Sequence, residues 1–376
     1  MNDCFVQQHC QLKPLRHLFL EAKDNRDPRG MLYPANFILN CVILAVMSGA
    51  QGFKQISDWI EAQSFETLKK LGNTYHRKPH ESTIRKLIPK LDFPELKKLC
   101  YDWSQKKLQE KSMETQGIAL DGKTLRGSRN EDNRQPHILS CITHGTGVLL
   151  GDFQIPNKSS EVQYTSHLLK DVDIKGKIIT ADALHTIKTF GQALVEQGAH
   201  YVFIAKGNKQ KLISRLAALQ IEKNHTSYGM TEEKGHGRLE KREVFLMGDL
   251  PFWLCFKSCD QAFIIKRYRK DIKSGKETVT TFFGLTSMPP EKADAELILK
   301  AVREHWSIEN KGFYVRDVAF GEDRSTIRTK TLPHFFVLMR NLCINCFRFL
   351  GKINITQSIR KCSYNRDYAF RIFNSL

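Results

Sequence analysis

The sequence of 376 residues lacks the features of an exported or membrane-spanning protein. No apolar signal core follows Met1 within the first nine residues. The longest apolar run, from Phe37 to Met47, is interrupted by Asn40 and is too short to span a bilayer. Cys343 and Cys346 form a lone CxxC motif without a second pair at zinc spacing. We therefore expect a cytoplasmic protein whose ten cysteines are reduced thiols, with no membrane segment.

Acidic residues are few relative to basic ones. Lysine and arginine number 58 against 40 aspartates and glutamates, which gives a formal net charge of +18. Such an excess favours a polyanionic partner, most commonly nucleic acid, although charge alone leaves open a merely basic soluble protein. The apolar fraction of 41% and the length allow two or three globular domains.

The first part of the chain, residues 1–112, is predicted to be a small helical domain. Its apolar spacing indicates helices over Asn36–Ser48 and Lys54–Ala62. A further helix begins near Ser82, a suitable N-cap, and exposes Arg85, Lys86 and Lys90. This basic helix is either the reading helix of a helix-turn-helix or an ordinary solvated face, and both interpretations remain open.

Residues 113–350 are predicted to form an α/β domain with an RNase H-like mixed sheet. The pattern predicts three strands, of which the second and third are joined by a hairpin turn at residues 144–147, and then helix, strand, helix and strand. In that topology the first and fourth strands are neighbours. The predicted strands are Gly117–Asp121, His137–Thr143, Val148–Ile155, the strand ending at Asp182, and Tyr201–Lys206. The helices are expected over Ser160–Lys170 and Thr186–Gln197.

An insertion of about eighty residues, 208–288, interrupts this domain, and a basic tail, 351–376, follows it. Three strand patterns in the insertion predict an all-β subdomain, because the segment is too long for a loop. Within it, the Gly-rich segment Gly235–Arg238 predicts a hairpin turn, with Glu240 and Arg242 on one face of the next strand.

Two aspartates are the first candidates for chemistry. Asp121 and Asp182 each end an apolar run and are predicted at the C-terminal ends of buried strands, where α/β sheets place functional residues. The RNase H-like topology would place them side by side. Asp182 is also suited to capping the next helix, and both roles remain open.

The third acidic candidate is Glu309, on a helical pattern far downstream. At helical spacing it shares a face with His305, Phe313 and Arg316, so that His305 and Arg316 are expected to bind phosphate beside it. A surface salt bridge is the alternative, and Trp306 and Ile308 are predicted to anchor the helix in the core. Three acids on separate elements of a basic chain suit two divalent metal ions at a phosphodiester.

Taken together, these motifs make the chain resemble a DDE transposase of bacterial insertion sequences, of the H-repeat-associated type. The resemblance extends over nearly the whole chain. The matching blocks are Asp27-Pro28-Arg29 with Tyr33-Pro34, Asp121-Gly122-Lys123-Thr124-Leu125-Arg126-Gly127-Ser128, Thr180-Ala181-Asp182-Ala183, Ala205-Lys206-Gly207-Asn208, Gly235-His236-Gly237-Arg238 with Glu240 and Arg242, His305-Trp306-Ser307-Ile308-Glu309-Asn310, and Asp317-Val318-Ala319-Phe320-Gly321-Glu322-Asp323.

The resemblance implies an N-terminal transposase-associated domain and a catalytic metal triad of Asp121, Asp182 and Glu309. There are departures from related transposases, which carry Tyr and Arg before the catalytic Glu and Lys after it. Here those positions hold Val302, His305 and Arg316. Closer relatives tend to have His-Trp after the Glu-Asn pair, where this chain has Phe313-Tyr314. Hairpin formation at the element's ends is therefore not inferred.

The expected function is metal-dependent cleavage at transposon ends, followed by transfer of the 3′-OH into target DNA. The alternatives are a DNA nuclease that does not join, and an inactive DNA-binding repressor remnant. Mg²⁺ is the expected cofactor, with Mn²⁺ as a substitute, because the three ligands are hard carboxylates. The expected partners are terminal inverted repeats, target DNA and a second copy in a homodimer. Phosphate binding is assigned to Lys123, Arg126, His305, Arg316, Arg238, Arg85 and Lys86.

Overall fold

The computed structural model describes residues 13–113, 115–129, 132, 134–157 and 161–376, so the expectation about an export signal concerns residues outside these ranges. The chain divides into two compact units. The first comprises Met1–Glu114, Leu125–Pro136 and Tyr314–Leu376, and the second comprises Thr115–Thr124 and His137–Phe313. Within the described ranges, no helix combines the length and apolar character needed to cross a bilayer.

The N-terminal part of the first unit is helical, as predicted. Its helices are α1 Leu15–Leu18, α2 Ala35–Met47, α3 Phe53–Glu61, α4 Phe65–Lys70, α5 Glu81–Leu87 and α6 Phe93–Glu110. Helix α2 is buried along nearly its whole length. The N-cap of α5 is His80, whose Nδ1 accepts a hydrogen bond from the Ser82 amide at 3.2 Å; Ser82 itself is not the cap. Ten residues, 71–80, separate α4 from α5, which is longer than the turn of a helix-turn-helix.

The core of the second unit is a mixed sheet in the predicted order. Its elements are β1 Gly117–Thr124, β2 His137–Thr143, β3 Leu149–Ile155, α7 Glu161–Leu169, β4 Ile178–Ala181, α8 Lys188–Glu196 and β5 His200–Ala205. The strand order β3-β2-β1-β4-β5 has antiparallel pairs among the first three strands and parallel pairs of β1 with β4 and of β4 with β5. This is the RNase H-like arrangement that the sequence predicts.

The insertion extends this sheet. Its elements, with the helix that follows, are α9 Gln210–Ala218, α10 Ile221–Asn224, β6 Ser227–Gly235, β7 Arg238–Met247, β8 Gln261–Asp271, β9 Glu277–Thr286 and α11 Ala295–Glu304. Strand β9 pairs antiparallel with β5, so that nine strands form one continuous sheet. The predicted strands are present, but two helices precede them, and the insertion is therefore not all-β.

The hairpin between β6 and β7 has the predicted Gly-rich turn. His236 and Gly237 form a two-residue connection, and both have positive φ, 48° and 71°. Two left-handed residues between antiparallel strands are typical of a turn that matches the strand twist.

The C-terminal part of the first unit consists of α12 Tyr314–Phe320, α13 Leu332–Phe349, α14 Ile355–Tyr364 and α15 Arg366–Ser375. The apolar helix predicted around residues 335–347 corresponds to α13, which is almost entirely buried. The predicted basic tail contains two helices whose buried residues include Ile359 and Phe373.

A buried ion-pair network in this unit corrects the prediction for Arg316. Its side chain is fully buried; Nε lies 3.1 Å from Glu322, and Nη1 donates to Asn341 at 3.1 Å. Glu322 also pairs with buried Arg340 at 3.3 Å. Glu309 and Arg316 share a face only in a regular α-helix. Residues 308–313 form a π-helix instead, which turns the chain by a different angle per residue. Arg316 is thus a structural cation and does not face solvent for phosphate binding.

The network predicts a stability effect. Glu322→Ala should lower the free energy of unfolding by about 3–5 kcal/mol, because it leaves two buried guanidinium groups without their shared carboxylate. Glu66→Ala, which breaks an exposed pair with Lys70, is the control and should cost less than about 1 kcal/mol. Urea unfolding measures both values, and equal midpoints for the two variants would contradict the assignment.

Candidate active site

Asp121 and Asp182 lie next to each other because of the parallel register of β1 and β4. The last paired residues are Leu120 and Ala181, and each aspartate is the next residue along the chain. Strand β1 continues past Asp121 to Thr124, because its other edge remains paired with β2. Asp121 therefore lies inside a strand, whereas the sequence predicts it at the strand's C-terminal end. Strand β4 does end just before Asp182, as predicted.

Asp182 also performs the capping role considered from the sequence. Its Oδ1 accepts a hydrogen bond of 2.6 Å from the Leu184 amide and caps the single 3₁₀ turn Ala183–His185. One carboxylate can cap a turn and still line a cavity, because it has several acceptor positions. The two interpretations of Asp182 are thus compatible.

Asp121 is buried in an anionic environment. The pKa of Asp121 is raised to about 6, mainly by burial; the hydrogen bond from the Gly122 amide opposes the rise, and the nearby charges of Glu161 and Asp182 contribute to it. Two other carboxyl groups therefore act on Asp121 at this edge of the sheet. Such an arrangement is expected where a cation or a proton compensates the charge.

Glu309 reaches the same cavity from a different element. It lies in the first turn of the π-helix Ile308–Phe313, a type of helix frequently found at functional sites. Trp306 is 61% exposed and lines the cavity, so it does not anchor the helix in the core as predicted. The cavity has a volume of about 830 Å³, and Asp121, Asp182 and Glu309 all line it.

His305 lines this cavity as a neutral group. Its Nδ1 lies 3.2 Å from the Thr180 hydroxyl, and burial lowers its pKa to about 4, although the charge of Asp182 opposes that effect. The Thr180 hydroxyl also contacts His144 Nε2 at 2.8 Å, and burial lowers the pKa of His144 to about 3. His305 can therefore hydrogen-bond a phosphate but does not bring a positive charge to it at neutral pH.

The insertion supplies a basic wall to the cavity. Arg238 and Arg242 on β7 alternate with Glu240, and their partners across the ladder lie on β8. Glu240 is buried and pairs with Arg238 at 3.2 Å and with Arg242. Its single charge therefore orients several guanidinium groups without neutralising all of them. The cations that line the cavity are Lys206, Arg238, Arg242, Arg267, Arg269 and Arg303.

Other residues predicted to bind phosphate do not line this cavity. Lys123 lies on β1 two residues beyond Asp121 and is half-buried. Arg126 belongs to the first unit, where its Nε lies 3.7 Å from Asp323. Arg85 and Lys86 are exposed on α5 of the same unit, and Arg85 pairs with Glu81.

Sequence reasoning missed three polar residues beside the two aspartates. Glu161 begins α7, His137 begins β2, and His185 ends the turn after Asp182; all three are buried. His137 Nε2 lies 2.8 Å from Glu161 Oε1, and its Nδ1 lies 2.8 Å from the Thr124 hydroxyl. A polar residue at the start of an element is unremarkable in sequence, and only the fold brings these together.

Gly122 leaves room for the hydrogen-bonded side chains of His137 and Glu161. A Cβ at Gly122 would lie 2.3 Å from His137 Nε2 and 2.6 Å from Glu161 Oε1. The glycine after Asp121 is therefore required by the close approach of Glu161 and His137 to β1, and its backbone φ is not in the left-handed region.

Comparison with known proteins identifies the class. Residues 112–346 match the family described as "Transposase DDE domain", and residues 16–104 match the "DDE_Tnp_1-associated" family. The chain belongs to the DDE transposase family and is an enzyme of that type. Its helical N-terminal region and mixed sheet correspond to the two matched segments.

Similar proteins include H-repeat relatives from Escherichia coli. The chain is 28% identical to the "H repeat-associated putative transposase YhhI" of strain K12 over 95% of this chain and 97% of that protein. It is 29% identical to the "Putative transposase YncI" of strain O157:H7, over 90% and 88% respectively. A piggyBac transposase synaptic complex with hairpin DNA aligns with 97% of this chain and 77% of that chain, with 11% identity and a TM-score of 0.44.

The space at Gly122 leads to a prediction. Gly122→Ala should destabilise the protein by about 1–3 kcal/mol, because the new methyl group overlaps His137 and Glu161. Gly235→Ala is the matched control: it is also a strand glycine, nothing lies within 4 Å of its added Cβ, and its change should stay within about 1 kcal/mol. Thermal unfolding of both variants checks the difference, and equal melting temperatures would show that the pair moves aside at little cost.

Proposed function

We propose that this protein cuts DNA at the ends of its mobile element and transfers the 3′-OH ends into target DNA. The observation that carries the proposal is one cavity lined by Asp121, Asp182 and Glu309 together with six basic side chains. The acids suit metal-assisted chemistry at phosphorus, and the bases suit a polyanionic strand. Membership in the DDE transposase family supports the same conclusion.

Asp121, Asp182 and Glu309 fit divalent metal ions. They offer hard oxygen donors, and the raised pKa of Asp121 reflects its burial and, secondarily, the neighbouring carboxyl groups of Glu161 and Asp182. Mg²⁺ is the proposed ion and Mn²⁺ a substitute. When bound, two such ions would activate the attacking oxygen and stabilise the leaving oxygen of the phosphodiester.

The basic wall has the role of holding the DNA backbone. Lys206 and Arg269 have no side-chain hydrogen bond or ion pair within the described part of the chain, so their charges remain available to phosphates. Neutral His305 can donate or accept a hydrogen bond beside them. Exposed Trp306 offers a ring face to an unpaired base, a contact that does not depend on sequence.

The further parts of the proposal concern assembly and location. Two ends of an element must be processed together, which a homodimer on DNA would achieve, with terminal inverted repeats and target DNA as its partners. The proposed location is the bacterial cytoplasm, on the nucleoid when DNA is bound. Exposed Lys86 and Lys90 of the first unit are proposed as further phosphate contacts.

Replacement of Asp121 tests the role of the triad. Asp121→Asn should reduce Mg²⁺-dependent nicking of an element-end duplex by at least about a hundredfold while binding changes less than about threefold, since a metal ligand and not a phosphate-binding cation is removed. Asp58→Asn, at an exposed helix position paired with Lys54, is the control and should change neither quantity. Unimpaired nicking would remove Asp121 from the active site, and parallel loss of both would indicate misfolding.

A strand-transfer assay separates the transposase from its alternatives. The element-end duplex is taken from inverted repeats in the DNA beside the gene and incubated with protein, Mg²⁺ and a supercoiled target. Joined products support the proposal. Nicking without joining indicates a nuclease, and binding without either reaction indicates a repressor.

The salt dependence of binding distinguishes the basic wall from α5. Lys206→Gln with Arg269→Gln should flatten the log–log salt slope by roughly one unit for each lost phosphate contact. The matched pair is Lys86→Gln on α5 with Lys90→Gln in the 3₁₀ turn that follows it. It should flatten the slope similarly if this segment contacts DNA, but leave cleavage at saturating DNA unchanged. An unchanged salt slope for the Lys206→Gln, Arg269→Gln variant would show that the basic wall of the cavity does not hold the DNA backbone.

A further inference from the structure

A second group of ligand atoms lies beside the triad. Oxygen atoms of Glu161 and Asp182 and a ring nitrogen of His185 lie within 4.8 Å of one another. Glu161 and His185 are almost completely buried, whereas Asp182 is half-buried and lines the cavity. Only Asp182 is common to this group and to the proposed triad.

Glu161 has one oxygen that is satisfied and one that is not. Its Oε1 lies 2.8 Å from His137 Nε2, and the residue is 1% exposed. Its Oε2 is buried and has no hydrogen-bond partner among the described residues. An unsatisfied buried carboxylate oxygen costs about 1–3 kcal/mol or more, so a group that binds it is expected.

The hydrogen bonds of His185 identify which ring nitrogen is unprotonated. The Thr165 hydroxyl donates to the Glu161 carbonyl oxygen at 2.7 Å, so it accepts at His185 Nε2, 3.0 Å away. Nε2 therefore carries a proton, and in the neutral ring Nδ1 has a free lone pair. Among the residues that the structure describes, this buried Nδ1 has no hydrogen-bond partner; it lies 3.5 Å from Asp182 Oδ1, too far for a charge-assisted hydrogen bond.

The group thus consists of three acceptors directed at a common space. A water molecule has two hydrogens and can satisfy only two of them. A cation can satisfy all three at once and also compensates the two carboxylates.

We propose that Glu161, His185 and Asp182 hold a divalent cation. One imidazole nitrogen with two carboxylate oxygens favours Mn²⁺ or a later transition metal over Mg²⁺, which prefers oxygen ligands only. The inference rests on the proposed function only through Asp182, which would connect this cation to the triad. It gives Glu161 and His185 a role as ligands that the acid triad does not include.

The test uses the full chain, stripped of metal and titrated with Mn²⁺. The Asp121→Asn, Glu309→Gln double variant removes two triad ligands but retains all three residues of the proposed site. Electron paramagnetic resonance counts bound Mn²⁺, and pulsed measurements detect ¹⁴N coupling from a coordinated histidine. We expect one bound Mn²⁺ with ¹⁴N coupling, since the triad alone contains no nitrogen ligand.

Two further substitutions in this background locate the ion. Glu161→Gln and, separately, His185→Gln should each weaken Mn²⁺ binding at least about tenfold, and His185→Gln should abolish the ¹⁴N coupling. Glu196→Gln on α8 and His76→Ala, both exposed, are the controls and should change neither reading. Circular dichroism verifies that each variant is folded, and the two ligand variants test the site independently.

The outcomes distinguish this inference from the proposed function. Bound Mn²⁺ without ¹⁴N coupling, or binding unchanged in both folded ligand variants, would overturn the inference even if the protein joins DNA. Coupling that disappears with His185→Gln would support it even if no DNA cleavage were detected.

Discussion

The parallel pairing of β1 with β4 is the constraint on which the site depends. Parallel strands hold successive residues in fixed register, so the pair Leu120 and Ala181 determines that Asp121 and Asp182 follow side by side. The same pairing places Thr180 where its hydroxyl contacts His144 and His305. A slip of one residue would turn each of these side chains to the other face.

Charge balance around these acids explains much of the surrounding sequence. Burial, and to a smaller extent the neighbouring carboxylates, raise the pKa of Asp121 to about 6, so this residue favours a bound cation or proton. The cations that line the cavity come mostly from the insertion, whose strands β7 and β8 continue the same sheet. Buried Glu240 organises part of that wall, because guanidinium groups would otherwise repel one another.

The order of strands along the chain was predictable because its signals are local in sequence. These signals are the alternation of apolar and polar residues, short apolar runs, and turn residues between them. The hairpin at His236 and Gly237 and the buried helix α13 are examples. The prediction for Arg316 was wrong because its spacing was taken from a regular α-helix, whereas residues 308–313 form a π-helix. Trp306 lies between the end of α11 at Glu304 and this π-helix, and it is exposed. The positions of Glu161 and His185 had no local signal, because their significance lies in contacts with residues distant in sequence.

The sequence by itself indicated the class of protein, the RNase H-like strand order, the basic character and the three candidate acids Asp121, Asp182 and Glu309. These follow from composition, local periodicity and a set of motifs, none of which requires knowledge of distant contacts. Only the tertiary structure decided that the insertion completes the cavity wall, that Arg316 is buried with Glu322, and that Glu161 and His185 lie beside Asp182. The reason is physical: burial and unsatisfied hydrogen-bonding capacity arise from packing between separate segments, and no local pattern of residues records them.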